Sequence, residues 1–194
     1  YLVHSIDGVS YKTKISTLRG DHETNEGVLQ NNVRHWDKLE FMARPDDLIQ
    51  ERLYCVQWMR KKKQSKSDEY EFRSVGEDDL RRESIVQEYV ANHLVEWQHE
   101  GCVTDMRIEV GGPPRYQGLD LVRARGWTYW HHLFNPRQLM LAGLANRCKK
   151  AACKVAIAQL VNWNSRLSTW NRYGGGGGIV QHTFSNQALN TLFD

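Results

Sequence analysis

Polar and apolar positions alternate from Leu2 to Ile15, with Val9, Tyr11, Thr13 and Ile15 on one side, and Asp7-Gly8 supplies a dipeptide that tolerates positive φ in a two-residue turn. Two antiparallel strands follow from that pattern. Residues 18–32 are polar and aperiodic, which predicts a long loop. Residues 34–43 suggest a short helix. Pro45 before Asp46 and Asp47 suggests another helical turn, because proline costs nothing at the first helical position and carboxylates suit the positive end of the helix dipole. Residues 52–60 and 70–75 are rich in β formers, among them Leu53, Tyr54, Val56 and Trp58. Lys61-Lys62-Lys63-Gln64-Ser65-Lys66-Ser67-Asp68 lies between them, so a second hairpin with a basic tip is expected.

Glu77-Asp78-Asp79 caps the clearest helical pattern, in which Ile85, Val86, Tyr89, Val90, His93, Leu94 and Trp97 recur at helical spacing until Gly101. Gly111-Gly112-Pro113-Pro114 marks a surface loop. Asn135-Pro136-Arg137-Gln138 combines an N-cap residue, a proline at the first helical position and a glutamine able to reach back to the cap, which predicts a helix toward Asn146. A second helical stretch is expected from Lys149 to about Trp170, with Ile157, Leu160, Val161, Asn164, Leu167 and Trp170 on one side. Gly174 to Gly178 reads as a flexible connector, and residues 187–194 as a last short helix. The fold class is therefore α+β, two β-hairpins packed with a mainly helical C-terminal half. Its expected parts are 1–76 with the basic hairpin tip, 77–173 helical, 174–178 a glycine linker and 179–194 a C-terminal segment, together one compact domain.

Composition adds boundaries to this picture. A chain of 194 residues that is 40% hydrophobic, with seven Trp and eight Tyr, can bury a core without staples. The net charge of +3 permits an anionic partner through a local patch and demands none. The best apolar run, 151–163, is interrupted by Lys154, Gln159 and Asn162 and is too short for a membrane span. The four cysteines, Cys55, Cys102, Cys148 and Cys153, form no C-x-x-C pair, so free thiols in a reducing cytoplasm are expected and a metal site is not. The chain opens on Tyr1 with no charged leader before an apolar stretch, which reads as an excised fragment without signal peptide.

Five cations, Arg60, Lys61, Lys62, Lys63 and Lys66, fall within seven residues. Such a tip neutralises several phosphates or is simply a solvated hairpin end. Trp58, Tyr70 and Phe72 beside it offer stacking faces for exposed bases, or form cross-strand core pairs. His93, Glu96, His99 and Glu100 share a helix, and a carboxylate with a histidine three residues on is a di-iron spacing, but one copy does not make the site. His131-His132 reads as packing near a helix start, or as ligand or acid/base chemistry. Base methylation needs a Gly-rich turn for the donor and an Asp/Asn-Pro-Pro-aromatic turn for the target amine. Gly112-Pro113-Pro114-Arg115 and Asn135-Pro136-Arg137 are both incomplete versions of the second, and the glycine run has neither a preceding strand nor a following G-K-[ST].

Gly126-Trp127-Thr128-Tyr129-Trp130-His131-His132-Leu133-Phe134-Asn135-Pro136-Arg137-Gln138-Leu139 resembles a segment of the large prokaryotic adenine-specific DNA methylases that contain a Zn-ribbon. The matching positions include Trp130, Phe134, Pro136, Arg137 and Gln138. Asn164-Ser165-Arg166-Leu167-Ser168-Thr169-Trp170 resembles that family's Asn-Ser-x-Leu-x-x-Trp segment, with Asn164 and Trp170 at its ends, and Thr183-Phe184-Ser185 with Ala188-Leu189 resembles its Thr-Phe-x-x-x-Ala-Leu segment. The strand Glu51-Arg52-Leu53-Tyr54-Cys55-Val56 is also similar. The resemblance implies the stretch between an S-adenosylmethionine-binding strand and an Asp-Pro-Pro-Tyr turn. The implied cofactor then belongs to the full-length protein and none to this fragment. The expected role is DNA contact, target recognition or scaffolding by a chain that does not methylate alone, with DNA and the rest of the methyltransferase as partners and no membrane. The Zn-ribbon has no counterpart in the four cysteines. The alternatives are a structural or protein-interaction module without nucleic-acid contact, and a metal-dependent enzyme built on His93, His99, His131 and Glu96.

Overall fold

A computed structural model describes residues 1–61, 69–108, 118–148, 150–168, 170–171 and 179–180. The fold is α+β, with two-stranded antiparallel sheets in the N-terminal part and helices mainly in the C-terminal half. The chain divides into one unit of residues 1–51 and 106–130 and another of residues 52–105 and 131–194. The loop expected at 111–114, the Gly174–Gly178 connector and the helix expected at 187–194 lie outside the described residues.

In the first unit, β1 (Leu2–Ile6) pairs with β2 (Val9–Thr13) from Leu2↔Thr13 to Ile6↔Val9. Asp7 and Gly8 turn the chain with φ of 50° and 80°, both positive as a tight hairpin turn requires. The long loop expected over 18–32 is instead structured. Helix α1 (Ile15–Arg19) stops at Gly20, whose φ of 68° is left-handed, and β3 (His22–Glu23) pairs with β4 (Leu29–Gln30). Polarity misled here because the polar groups bond locally: Thr24 Oγ1 accepts the Val28 N–H at 3.2 Å, and the Gly27 N–H donates to Thr24 O at 2.9 Å.

The helix expected at 34–43 is also absent. The Glu40 carboxylate accepts the Asp37 N–H at 2.6 Å and the Arg34 guanidinium at 2.6 Å, closing a turn rather than continuing a helix. After Pro45 there is a single turn, with the Asp47 N–H donating to Arg44 O at 3.0 Å. Arg34 also grips Asp47 through two parallel bonds of 2.6 and 2.7 Å, the strong bidentate geometry. In the same unit Trp36, Phe41, Ile108, Val122 and Trp127 are buried, with Val122 on α3 (Gly118–Arg125) and Trp36 meeting Trp127 edge-on at 6.4 Å.

The clamp makes stability acid-sensitive. The Arg34 hydrogen bonds hold the Asp47 carboxyl below its ordinary range; at Glu40 burial pushes the pKa up, but Arg34, the Asp37 N–H and Arg44 outweigh it and the net shift is down. A depressed carboxylate contributes stability that is present above its unfolded value, 3.8 for Asp and 4.5 for Glu, and lost as pH falls through the folded value. The melting temperature is expected to fall from pH 6 to pH 3, and to fall less in Asp47→Asn. An equal acid dependence in that variant, measured by circular dichroism, contradicts the clamp's role.

In the second unit, β5 (Cys55–Arg60) pairs with β6 (Glu69–Ser74). Helix α2 (Glu77–His99) begins where Asp79 Oδ2 accepts the Gly76 N–H at 3.1 Å. It buries Val90, Leu94 and Trp97, whereas Ile85, expected on the core face, points to solvent. A 3-10 turn (Trp130–Leu133) joins the two units in sequence and leads to α4 (Pro136–Asn146). The start of α4 is the predicted capping box: Asn135 Oδ1 accepts the Gln138 N–H at 3.0 Å, and Gln138 Oε1 accepts the Asn135 N–H at 2.9 Å. Asn135→Ala is expected to cost about 1 kcal/mol of unfolding free energy; urea titration showing no loss refutes the box.

Helix α5 (Ala151–Trp163) is shorter than expected. The Asn164 side-chain amide donates to Leu160 O at 2.9 Å, and Ser165 and Ser168 hydroxyls accept backbone N–H groups, turning the chain before Leu167 and Trp170. Trp170 falls in β7 (Trp170–Asn171), paired with β8 (Ile179–Val180). Helix α4 packs on both α2 and α5. Cys148 and Cys153 are disulfide-bonded with Cα atoms 6.1 Å apart, which corrects the expectation of four free thiols: the α4–α5 turn brings this i, i+5 pair within bridging distance. Cys55 and Cys102 are free.

Candidate nucleic-acid interface

The basic segment follows β5 and precedes β6 in sequence. Arg60 ends β5 and Lys61 follows it, both exposed; Lys62, Lys63 and Lys66 lie outside the described residues. The register decides what the stem offers. Directly opposed residues of an antiparallel pair share a face, and successive residues alternate faces. Gln57↔Phe72 and Met59↔Tyr70 therefore share one face with Cys55↔Ser74, while Val56↔Arg73, Trp58↔Glu71 and Arg60↔Glu69 share the other. The three aromatics do not form the cross-strand core pairs that the sequence allowed. Trp58, Tyr70 and Phe72 are 49%, 41% and 57% exposed, and Trp58 stands on the opposite face from the other two.

The stem is balanced in charge. Arg73 donates to Glu71 at 2.9 Å and lies 5.8 Å from the Trp58 ring centroid. That hydrogen bond and the arginine's charge hold the Glu71 carboxyl below its ordinary range. Arg60 faces Glu69 across the ladder. Two arginines thus meet two glutamates on the Trp58 face, and the sequence between the two strands adds four lysines. An open concavity along the stem is lined by Trp58, Met59, Arg60, Glu69, Tyr70, Glu71 and Arg73.

The residues singled out at 126–139 and 164–170 have structural work. Phe134 and Pro136 are buried, Gln138 belongs to the capping box, and Arg137 pairs with Glu83 of α2. Trp130 is half-buried in the 3-10 turn, and Asn164 caps α5. The two segments meet through Arg166: its backbone N–H donates to Leu133 O at 2.7 Å, and its guanidinium donates to His132 O at 2.7 Å and to Phe134 O. Nothing in the spacing of 126–139 and 164–170 announced that contact, because Arg166 reads as an ordinary surface cation.

The histidines singled out in the sequence are dispersed. His93 Nδ1 lies 2.8 Å from Tyr89 O, and its ring is stacked 4.1 Å from Tyr89 and 5.6 Å from Trp97. His131 and His132 are wholly buried, with their rings edge-on at 4.4 Å. At the end of α2, Glu96 and Glu100 pair with Arg147 at 2.6 and 3.2 Å. Burial and Glu100 push the Cys102 thiol up, so it is protonated at neutral pH. Among the described residues, no three His, Cys, Asp or Glu side chains are placed to hold a metal ion, and no helix is long and apolar enough to cross a membrane. No family model, curated protein or solved structure matches the chain.

Proposed function

We propose that the chain is the nucleic-acid-contacting part of a DNA adenine methyltransferase whose donor pocket and catalytic turn are supplied from outside these 194 residues. The observation that carries the reading is the β5–β6 hairpin, a charge-balanced stem with exposed aromatics whose strands are joined in sequence by a lysine-rich segment. A methyltransferase takes its target base out of the stack, which calls for cationic and aromatic surface beyond the donor pocket. The link to methyl transfer rests on the similar segments at 126–139 and 164–170. The residues do not fit a turn that holds a target amine: Asn135, in the position nearest to an Asn-Pro-Pro turn, has its side chain committed to the Gln138 N–H. No chemical step is assigned to this chain.

The test is binding of a fluorescent duplex, followed by anisotropy. Replacing Lys61, Lys62 and Lys63 together by Gln is expected to weaken binding at least tenfold, about 1.4 kcal/mol. Duplex binding equal to the parent's rejects the assignment. The second reading, a protein-interaction module, draws on the β1–β2 hairpin, where Leu2, Val3, Ile6, Val9 and Tyr11 are all exposed. It predicts that neither the parent nor the variant binds nucleic acid.

A further inference from the structure

The two faces of the β5–β6 stem differ in a way the proposed function does not use. The Trp58 face carries Arg60, Glu69, Glu71 and Arg73, two charges of each sign. The opposite face, made by Cys55, Gln57, Met59, Tyr70, Phe72 and Ser74, carries no charge. On it Met59, Tyr70 and Phe72 are 53%, 41% and 57% exposed, and every residue of β6 is exposed.

We infer that the Met59–Tyr70–Phe72 face is a stacking platform for unpaired bases, so that the hairpin takes a single strand in preference to a perfect duplex. The inference rests on the nucleic-acid reading above. Three observations select this occupant. Aromatic rings on a sheet stack on bases of any sequence, while a basic groove or loop holds the backbone; here the rings lie on the stem, and the exposed Lys61 follows Arg60 at the end of β5. Tyr70 and Phe72 are two residues apart on one strand, about 6.8 Å. That is about twice the 3.4 Å rise per nucleotide of one duplex strand, so successive bases reach successive rings only when the strand is unstacked. The faces of bases inside a duplex are already covered by their neighbours, whereas a flat sheet face can meet only bases that have left the stack. On the Trp58 face each arginine is set against a glutamate and there is one ring, against two rings and no charged residue here.

The test uses the whole chain with a labelled thymidine oligomer and a blunt duplex of equal length at the same salt concentration. The oligomer is expected to bind more tightly. Tyr70→Ala is expected to weaken the oligomer about fivefold to a hundredfold, the loss of one base–ring stack, with duplex binding unchanged. Tyr70→Phe is expected to retain the parent's affinity because it keeps the ring. Trp58→Ala, on the other face, is expected to weaken oligomer binding less than Tyr70→Ala does. The inference is overturned by equal losses on both probes in Tyr70→Ala, by no loss on either, or by a Trp58→Ala loss as large as that of Tyr70→Ala. It is also overturned if Tyr70→Ala converts a sedimenting dimer to a monomer, for the face then belongs to a second copy of the chain. The two proposals fail separately. If the triple lysine variant binds both probes as the parent does, the nucleic-acid assignment falls; if lysines matter and Tyr70 does not, only the platform falls.

Discussion

Gly126→Ala is expected to cost the first unit more than about 3 kcal/mol, beyond the usual range of point substitutions. Gly126 has a φ of 75°, and a Cβ built there falls 1.9 Å from the Arg34 carbonyl oxygen and 3.0 Å from its carbonyl carbon. A left-handed alanine alone costs about 1–2 kcal/mol. The contact is with backbone, so no rotamer change relieves it, and the two chain segments must separate. Separation breaks the bond from the Trp36 N–H to Gly126 O at 2.8 Å and disturbs the nearby bond from Thr128 Oγ1 to Trp36 O at 2.5 Å. Near-ultraviolet circular dichroism should lose intensity with the displacement of Trp36 and Trp127, and urea unfolding should shift to lower concentration. A midpoint equal to the parent's means that this close approach does not exist in solution.

Gly143→Ala tests the second unit, and there the sign of the effect is diagnostic. Helix propensity favours alanine by about 1 kcal/mol. Against it, the added Cβ falls 2.4 Å from Trp97 Cδ2 and within 2.7 Å of two further indole carbons. Trp97 is wholly buried, with His93 and Tyr89 beside it, so the ring has no open space to enter. Overpacking costs about 1–3 kcal/mol, and with a clash this deep a net loss of about 2 kcal/mol is expected. Trp97→Phe, destabilising alone through the cavity it leaves, should recover part of that loss in the double variant because the smaller ring admits the methyl group. Additive losses in the two variants, or a gain in stability from Gly143→Ala alone, refute the α2–α4 contact.

How much of this was visible in the residues varies with the kind of signal. Asp7-Gly8 and the Asn135-Pro136-Arg137-Gln138 box were legible because each element is specified within four residues, by φ preference in one and by a reciprocal pair of hydrogen bonds in the other. Residues 18–32 and 34–43 were misread because their structure depends on where polar side chains spend their bonds, and Arg34 finds Asp47 thirteen positions away. Alternation in β1 and β2 gave the strands correctly, although nearly every residue of both is exposed. The disulfide was hidden by reading the cysteines for metal spacing rather than for the turn between two helices.

At the candidate interface the basic tip was visible as composition, and the sidedness of the stem was not. Trp58, Tyr70 and Phe72 look alike in sequence, and only the pairing of Trp58 with Glu71 and of Tyr70 with Met59 separates them. In the segments at 126–139 and 164–170, the polar residues that invite a functional role prove to be caps and tethers, with Gln138 in the box and Arg166 on three carbonyls.

The salt dependence of duplex binding bears most directly on the account. Each phosphate neutralised by a lysine adds about 0.9 to the negative slope of log K against log salt concentration. Replacing Lys61, Lys62 and Lys63 by Gln should therefore reduce the magnitude of that slope by about 2.7, measured by anisotropy from low to moderate salt. A slope unchanged by the three replacements contradicts a nucleic-acid contact at the hairpin tip.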